Sequence, residues 1–219
     1  MVRDGYFYAL GLGAVAAVLY MLTHSLVLMA VPLVLAAFFL WFFRDPTRTI
    51  PSGPGQIVSP ADGMVTEAEW IDTTSGSRLR LSIFLSVFDV HVNRSPVNGL
   101  VKAVEFRKGE FMNAIKPESV LGNEQTLIVI DAGGYEVSMK QIAGLLARRI
   151  VCNLKAGERV ERGQRIGMIK FGSRVDVLLP AEADLKVKTG SRVRGGATVL
   201  AELPESMTRD HLSATAAVA

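Results

Sequence analysis

The chain has 219 residues, 49% hydrophobic and 21% charged, with a net charge of +3. That is room for one ordinary domain, or a small domain with an appendage, and the charge is too weak to argue for nucleic acid as a partner. The single cysteine, Cys152, excludes an internal disulfide and a Cys-based zinc cluster, and His24, His91 and His211 lie too far apart for a histidine metal motif, so no metal is expected.

Residues 1–43 carry only Arg3 and Asp4 as charges, whereas the remainder has an ordinary globular charge density. This split excludes both a fully soluble chain and a polytopic transporter. Thr23-His24-Ser25 divides the apolar stretch into two runs of about 18 residues, near the lower limit for crossing hydrocarbon. The second run closes on Phe38-Phe39-Leu40-Trp41-Phe42-Phe43 and then Arg44, aromatic residues followed by a cation, as at a membrane–water interface. Residues 1–43 are therefore expected to form a membrane-associated helical hairpin with both ends on one side, Pro32 kinking its second helix. Arg44 and Arg48 place that side, and the domain behind it, in the cytoplasm at the cell membrane. A hairpin dipping into one leaflet is the alternative. A cleaved signal peptide fits poorly, because the charged start is weak and a second apolar run follows directly.

Residues 44–55, with Ile50-Pro51-Ser52-Gly53-Pro54-Gly55, read as a linker. Residues 56–205 read as a β-rich domain and 206–219 as a flexible tail. Ser77–Leu85 and Gly99–Arg107 alternate apolar and polar residues as half-buried strands do. Thr126–Asp131, Gly133-Gly134 and Tyr135–Lys140 read as a hairpin around a glycine turn. Lys108–Val120 suits a short helix or a loop, and Leu145–Cys152 is ambiguous.

An internal repeat follows. Lys155, Gly157, Arg159, Val160 and Gly163 recur thirty-three residues later as Lys188, Gly190, Arg192, Val193 and Gly196, each copy followed by an apolar strand, Arg165–Phe171 and Ala197–Leu203. Its paired glycines suit tight turns of positive φ. The pattern resembles the half-repeat of barrel-sandwich hybrid folds, which include lipoyl and biotinyl domains. No lysine sits at the hairpin tip between the copies to act as a swinging arm; Gly172-Ser173-Arg174 lies there instead. The expected fold is mainly β (α+β), a barrel-sandwich-hybrid-like domain behind a membrane helical hairpin.

Four segments hold residues suited to chemistry: Ser59-Pro60-Ala61-Asp62-Gly63, the run from Asp89 to Pro96 with His91 and Arg94, the run from Gln141 to Ile150 with Arg148 and Arg149, and Phe171-Gly172-Ser173-Arg174-Val175-Asp176-Val177. Taken singly each has an ordinary structural explanation: a turn, a core histidine, solvated arginines, a loop. Taken in order, SPADG, FDVHVNRSP, QIAG-x-x-ARRI and FGSRVDV, preceded by FFRDP, they resemble the short bacterial and archaeal type of phosphatidylserine decarboxylase. The resemblance runs from Phe42 to about Leu203 and takes in the hairpin.

The resemblance implies a proenzyme that cuts itself between Gly172 and Ser173 into a large chain, 1–172, and a small chain, 173–219, which stay associated. It implies that Ser173 becomes a covalent pyruvoyl group, with His91 as base and proton donor and Asp62 orienting it, the logic of a Ser-His-Asp triad. The ketone would form a Schiff base with phosphatidylserine and serve as electron sink for loss of CO2, yielding phosphatidylethanolamine. Larger family members carry two histidines three residues apart in this segment, one linked to processing and one to decarboxylation; here Arg94 stands three residues after His91, so either His91 serves both steps or another residue supplies the second base. Arg94, Arg148 and Arg149 are candidate partners for the headgroup phosphate and carboxylate. A homo-oligomer is compatible with these features. The alternatives are the same chemistry on another phosphoserine lipid such as archaetidylserine, and a non-catalytic membrane-anchored binding module.

Overall fold

The structure is a computed structural model that describes residues 2–73, 76–112, 119–145, 149–170 and 173–207. The chain divides into two compact units, Met1–Thr47 and Arg48–Ala219.

The first unit is a helical hairpin, α1 (Arg3–Thr23) and α2 (Leu26–Phe42). His24 takes a left-handed conformation (φ 50°) and stops α1, and Ser25 Oγ accepts the Leu28 N–H and caps α2. Pro32 lies inside α2. Tyr8 stacks on Phe39 and Phe43 across the pair, and the Arg44 guanidinium lies 4.3 Å from the Trp41 ring centre. Gly5 is required by the packing, since a Cβ there would stand 2.7 Å from that of Phe43. Large apolar side chains such as Leu22 and Val27 point outward on both helices, so the pair is apolar all round, the signature of a lipid or core environment. By length and composition α1 is long and apolar enough to cross a membrane, and α2 is shorter.

The second unit is mainly β, as expected. Its strands are β1 (Gln56–Val58), β2 (Gly63–Thr73), β3 (Gly76–Leu85), β4 (Val92–Arg94), β5 (Gly99–Arg107), β6 (Gln125–Asp131), β7 (Glu136–Ile142), β8 (Ile150–Cys152), β9 (Arg159–Val160), β10 (Arg165–Ile169), β11 (Ser173–Leu179), β12 (Asp184–Leu185), β13 (Arg192–Val193) and β14 (Val199–Glu202), with a one-turn helix α3 (Ser119–Gly122) before β6. An eight-stranded sheet runs β13-β2-β3-β11-β7-β6-β5-β9, and two three-stranded sheets, β1-β14-β12 and β4-β10-β8, complete it. Leu81, Ile83, Ile128, Ile130, Met139, Val175 and Val177 from the large sheet join Ile57, Ile166 and Leu200 from the small ones in one core. The glycine hairpin expected between β6 and β7 forms, Gly133 taking φ 75°. Residues 113–118, 146–148 and 208–219 lie outside the described residues.

The unit is duplicated, and the duplication extends beyond the glycine repeat. The repeat supplies β9 and β13 at opposite edges of the large sheet, with Gly157 and Gly190 both at φ 89°. Each copy clasps its own corner. Ser59-Pro60-Ala61-Asp62-Gly63 and Ser95-Pro96-Val97-Asn98-Gly99 match: Ser59 Oγ donates to Ala61 O at 2.6 Å, Ser95 Oγ to Val97 O at 2.7 Å. The Val58 N–H donates to Pro96 O and the Arg94 N–H to Pro60 O, so the corners bind each other reciprocally. A Cβ on Gly63 would lie 2.2 Å from Phe84 O, and one on Gly99 2.3 Å from Asp131 O. Both following strands bulge at the same place, after Val65 and after Val101.

Candidate active site

Ser173 begins β11, the strand fourth from one edge of the large sheet, and opposes Leu85 of β3. It is fully buried and shares the core-facing side of β11 with Val175 and Val177. Its Oγ has no hydrogen-bond partner among the described residues. A buried hydroxyl normally finds one. Gly172, on the other side of the bond expected to break, lies outside the described residues.

His91 stands just before β4 and is fully buried. Its carbonyl accepts the Ile169 N–H at 3.3 Å. This sets the His91 backbone beside the end of β10, which lies four residues before Ser173 in the chain.

Asp62 sits in its corner with both carboxylate oxygens engaged. Oδ1 accepts the Gly195 N–H and Oδ2 the Arg48 guanidinium, each at 2.7 Å. Burial pushes the Asp62 carboxyl above its ordinary value, and the Gly195 N–H and Arg48 pull it back only in part. The described hydrogen bonds of the Asp62 carboxylate run to Gly195 and Arg48. Arg48, read from the sequence as a flanking cation, is a partner of the β unit.

Of the three arginines, Arg94 is buried and donates to Gly163 O at 2.9 Å. Arg149 is exposed, its carbonyl accepting the Lys170 N–H. Arg148 lies outside the described residues.

Two groups escaped the sequence reading. Gln141 Nε2 donates to Asn93 Oδ1 at 2.7 Å, fully buried, and pins the β4 sheet onto β7 of the large sheet. The other end of each amide, Gln141 Oε1 and Asn93 Nδ2, has no partner among the described residues. A donor and an acceptor thus stay open within two residues of His91 on one strand and, on the other, beside β11. The signal was present: Gln141 continues the core-facing series Val137, Met139, where a polar residue is out of place. The second group is Arg174, only 1% exposed. Its Nε donates to Asp176 Oδ1 at 2.6 Å, and its Nη atoms to both oxygens of Glu67 and to Ser82 Oγ. Burial opposes these charges, yet mutual attraction prevails, holding Glu67 below and Arg174 above its ordinary value. The residue following the expected cut is thereby locked on the face of the sheet opposite Ser173.

Among the described residues no group of three or more His, Cys, Asp or Glu is placed to hold a metal ion.

A family model described as phosphatidylserine decarboxylase matches residues 35–201. The chain is 47% identical over 202 residues to the phosphatidylserine decarboxylase proenzyme of Solibacter usitatus, covering 92% of this chain and 96% of that one. It is 44% identical over 202 residues to the protein of the same name from Oleidesulfovibrio alaskensis, covering 91% and 93%. The Burkholderia pseudomallei proenzyme is 44% identical over 198 residues, covering 88% and 92%.

Proposed function

The chain belongs to the phosphatidylserine decarboxylase family, and from that premise we propose that it is a self-cleaving proenzyme that converts phosphatidylserine to phosphatidylethanolamine and CO2. The observation that carries the proposal is a buried serine hydroxyl with no partner among the described residues, inside the family match.

Self-cleavage begins when Ser173 Oγ attacks the Gly172 carbonyl, exchanging the peptide C–N bond for an ester C–O bond as the serine nitrogen takes a proton. His91 is the base that accepts the hydroxyl proton. Removal of the Ser173 α-proton then expels the Gly172 carboxylate and leaves dehydroalanine. Water replaces its nitrogen, ammonia departs, and a pyruvoyl ketone remains at the head of the small chain. The site suits this outcome, because Ser173 Oγ leaves with Gly172 and an apolar methyl takes the place of the hydroxyl on the core-facing side of β11. Asp62 acts as a positioning residue: its carboxyl group, held by Arg48, orders the corner that packs beside β4.

The pyruvoyl ketone supplies the electron sink that decarboxylation requires. The protein's own residues do the rest. His91 returns a proton to the carbon left by CO2. The open Asn93 donor and Gln141 acceptor orient the polar head of the substrate, and burial excludes bulk water. The cut leaves β11 in ladders with β3 and β7 on both sides, so the small chain, 173–219, stays with the large one, 1–172. The apolar hairpin, 1–43, anchors the enzyme in the cytoplasmic membrane with residues 56–205 on the cytoplasmic side, where the substrate lipid lies.

The test is an intact mass of the denatured protein. Two chains, the smaller one ammonia lighter than the same peptide begun by a free serine and lacking an amino terminus, are expected. A single stable chain of 23.7 kDa, inert toward phosphatidylserine, overturns the proposal and favours a non-catalytic anchored module.

A further inference from the structure

The large apolar side chains exposed on the β unit gather at one end. Met64, Phe88, Phe106, Leu121 and Leu145 are 42%, 72%, 61%, 76% and 58% exposed. Register fixes their place. Arg107 of β5, Gln125 of β6, Ile142 of β7, Arg174 of β11, Phe84 of β3 and Met64 of β2 stand in one row across the sheet. Phe106 adjoins that row, Leu121 precedes it in α3, and Leu145 and Phe88 lie in the turns just beyond Ile142 and Phe84. Ser173 is one residue from the middle of the same row. Trp70 and Leu100, the other two large apolar side chains exposed among the described residues of this unit, oppose Leu79 and Asp131 toward the far end.

Cations share the end. Arg107, Lys108, Arg149 and Arg194 are exposed there. Asp89 is turned inward onto Ser86 and Arg192, leaving Glu105 and Glu110 as the exposed carboxylates there among the described residues. Isolated apolar tips set among cations form no groove for a shaped protein partner. They suit a fluid, anionic surface, in which each tip enters separately and each cation meets a phosphate.

We propose that this end of the β unit is a bilayer-docking rim, which lowers the Ser173 site onto the headgroups of an anionic membrane independently of the helical hairpin. The choice of a bilayer as the occupant rests on the lipid-substrate reading above.

The test uses the full chain carrying Cys152→Ala and one added cysteine, Leu121→Cys, Leu145→Cys or Trp70→Cys, each labelled with an environment-sensitive fluorophore. The proteins are reconstituted in phosphatidylglycerol–phosphatidylcholine vesicles containing lipids brominated near the top of the acyl chain. Labels at 121 and 145 are expected to be quenched several-fold more than the label at 70, and to lose most of that difference in purely zwitterionic vesicles. Equal quenching at all three positions overturns the rim. In a second measurement, Leu121→Asp with Leu145→Asp is expected to lower turnover of bilayer phosphatidylserine by about tenfold, as the loss of roughly two partly buried leucines implies, and to spare turnover of a dispersed short-chain substrate. Quenching at 121 and 145 in a protein inactive on every phosphatidylserine overturns the decarboxylase reading and leaves the rim standing. An active enzyme with unquenched labels overturns the rim alone.

Discussion

The β unit contains its own control. Its two halves share the Ser-Pro corner, the following glycine, the bulge and the glycine repeat, with hydrogen bonds alike to within a tenth of an ångström. What they share is scaffold. They differ where one half has Gly55, Ile57 and Val58 and the other has His91, Asn93 and Arg94. They differ again at the corner itself. Asn98 Oδ1 accepts the Arg162 N–H at 2.7 Å, and Asp62 Oδ1 accepts the Gly195 N–H at 2.7 Å. The corner therefore requires one carbonyl-like oxygen, which an amide provides as well as a carboxylate. The charge of Asp62, and the Arg48 that answers it, are additions to a fold that closes without them on the other side. The lesson is that residues serving the fold recur in both halves, while those proposed for chemistry occur in one.

Breaking the asymmetry at its centre gives the largest effect. Ser173→Ala is expected to leave a single uncut chain and to lower decarboxylase activity by at least about a thousandfold. Its melting temperature should stay within a degree or two of the precursor's, since no hydrogen bond of the hydroxyl is lost. A Ser173→Ala protein that is still cut would remove Ser173 from the mechanism.

Next comes exchange of the corner residues. Asp62→Asn should fold with a loss below about 1 kcal/mol, because the amide can accept from Gly195 as Asn98 accepts from Arg162. It should slow self-cleavage by about a hundredfold, measured by gel over time. Asn98→Asp should cut at the normal rate. Equal slowing in both variants would make the corner purely structural.

The buried amide pair gives a smaller effect. Gln141→Leu strands Asn93 and should cost about 1–3 kcal/mol in denaturant unfolding. Gln141→Leu with Asn93→Ile, which copies the Ile57 side, should recover most of that stability but not the rate. Recovery of both would reduce the pair to packing.

The smallest effect concerns pH. The Asp62 carboxyl is raised by burial and lowered by Arg48, so a reaction that needs it ionised fades as pH falls through that raised value. Arg48→Gln removes a lowering influence and should move the acid limb of the cleavage profile to higher pH. The linked stability has the opposite slope: a raised folded pKa favours the folded state while the group is protonated, and that gain is lost as pH rises through it. An acid limb that does not move in Arg48→Gln would detach Asp62 from the profile.

Much of the fold was legible because strong local patterns carried it. The apolar hairpin broke where His24 turns, and β3 and β5 appeared through alternation within a residue of their ends. The strands of two residues, β9, β12 and β13, are too short to show a period; β9 and β13 became visible only through the glycines around them, and β12, which has none beside it, did not. The second corner was hidden because Val97 and Asn98 replace Ala61 and Asp62, which leaves three identities in five, too few to stand out. Ser173, His91 and Asp62 emerged from motif order. The Arg48–Asp62 pair did not, because Arg48 comes from a stretch that reads as linker. Arg174 falls in a segment whose ordinary reading from sequence is a loop, and only the three-dimensional neighbours Glu67, Ser82 and Asp176 reveal that its side chain is buried.

The position of β11 alters what denaturation means for this protein. Before the cut, unfolding and refolding are events within one molecule, and the melting point does not depend on how much protein is present. After the cut, the same ladders to β3 and β7 become an interface between two polypeptides. Refolding then becomes a second-order encounter, and the melting temperature rises with concentration. With the proposed cut between Gly172 and Ser173, the mature form would be a heterodimer whose halves were brought into register while still covalently joined, and its persistence would depend on slow unfolding more than on ready reassembly.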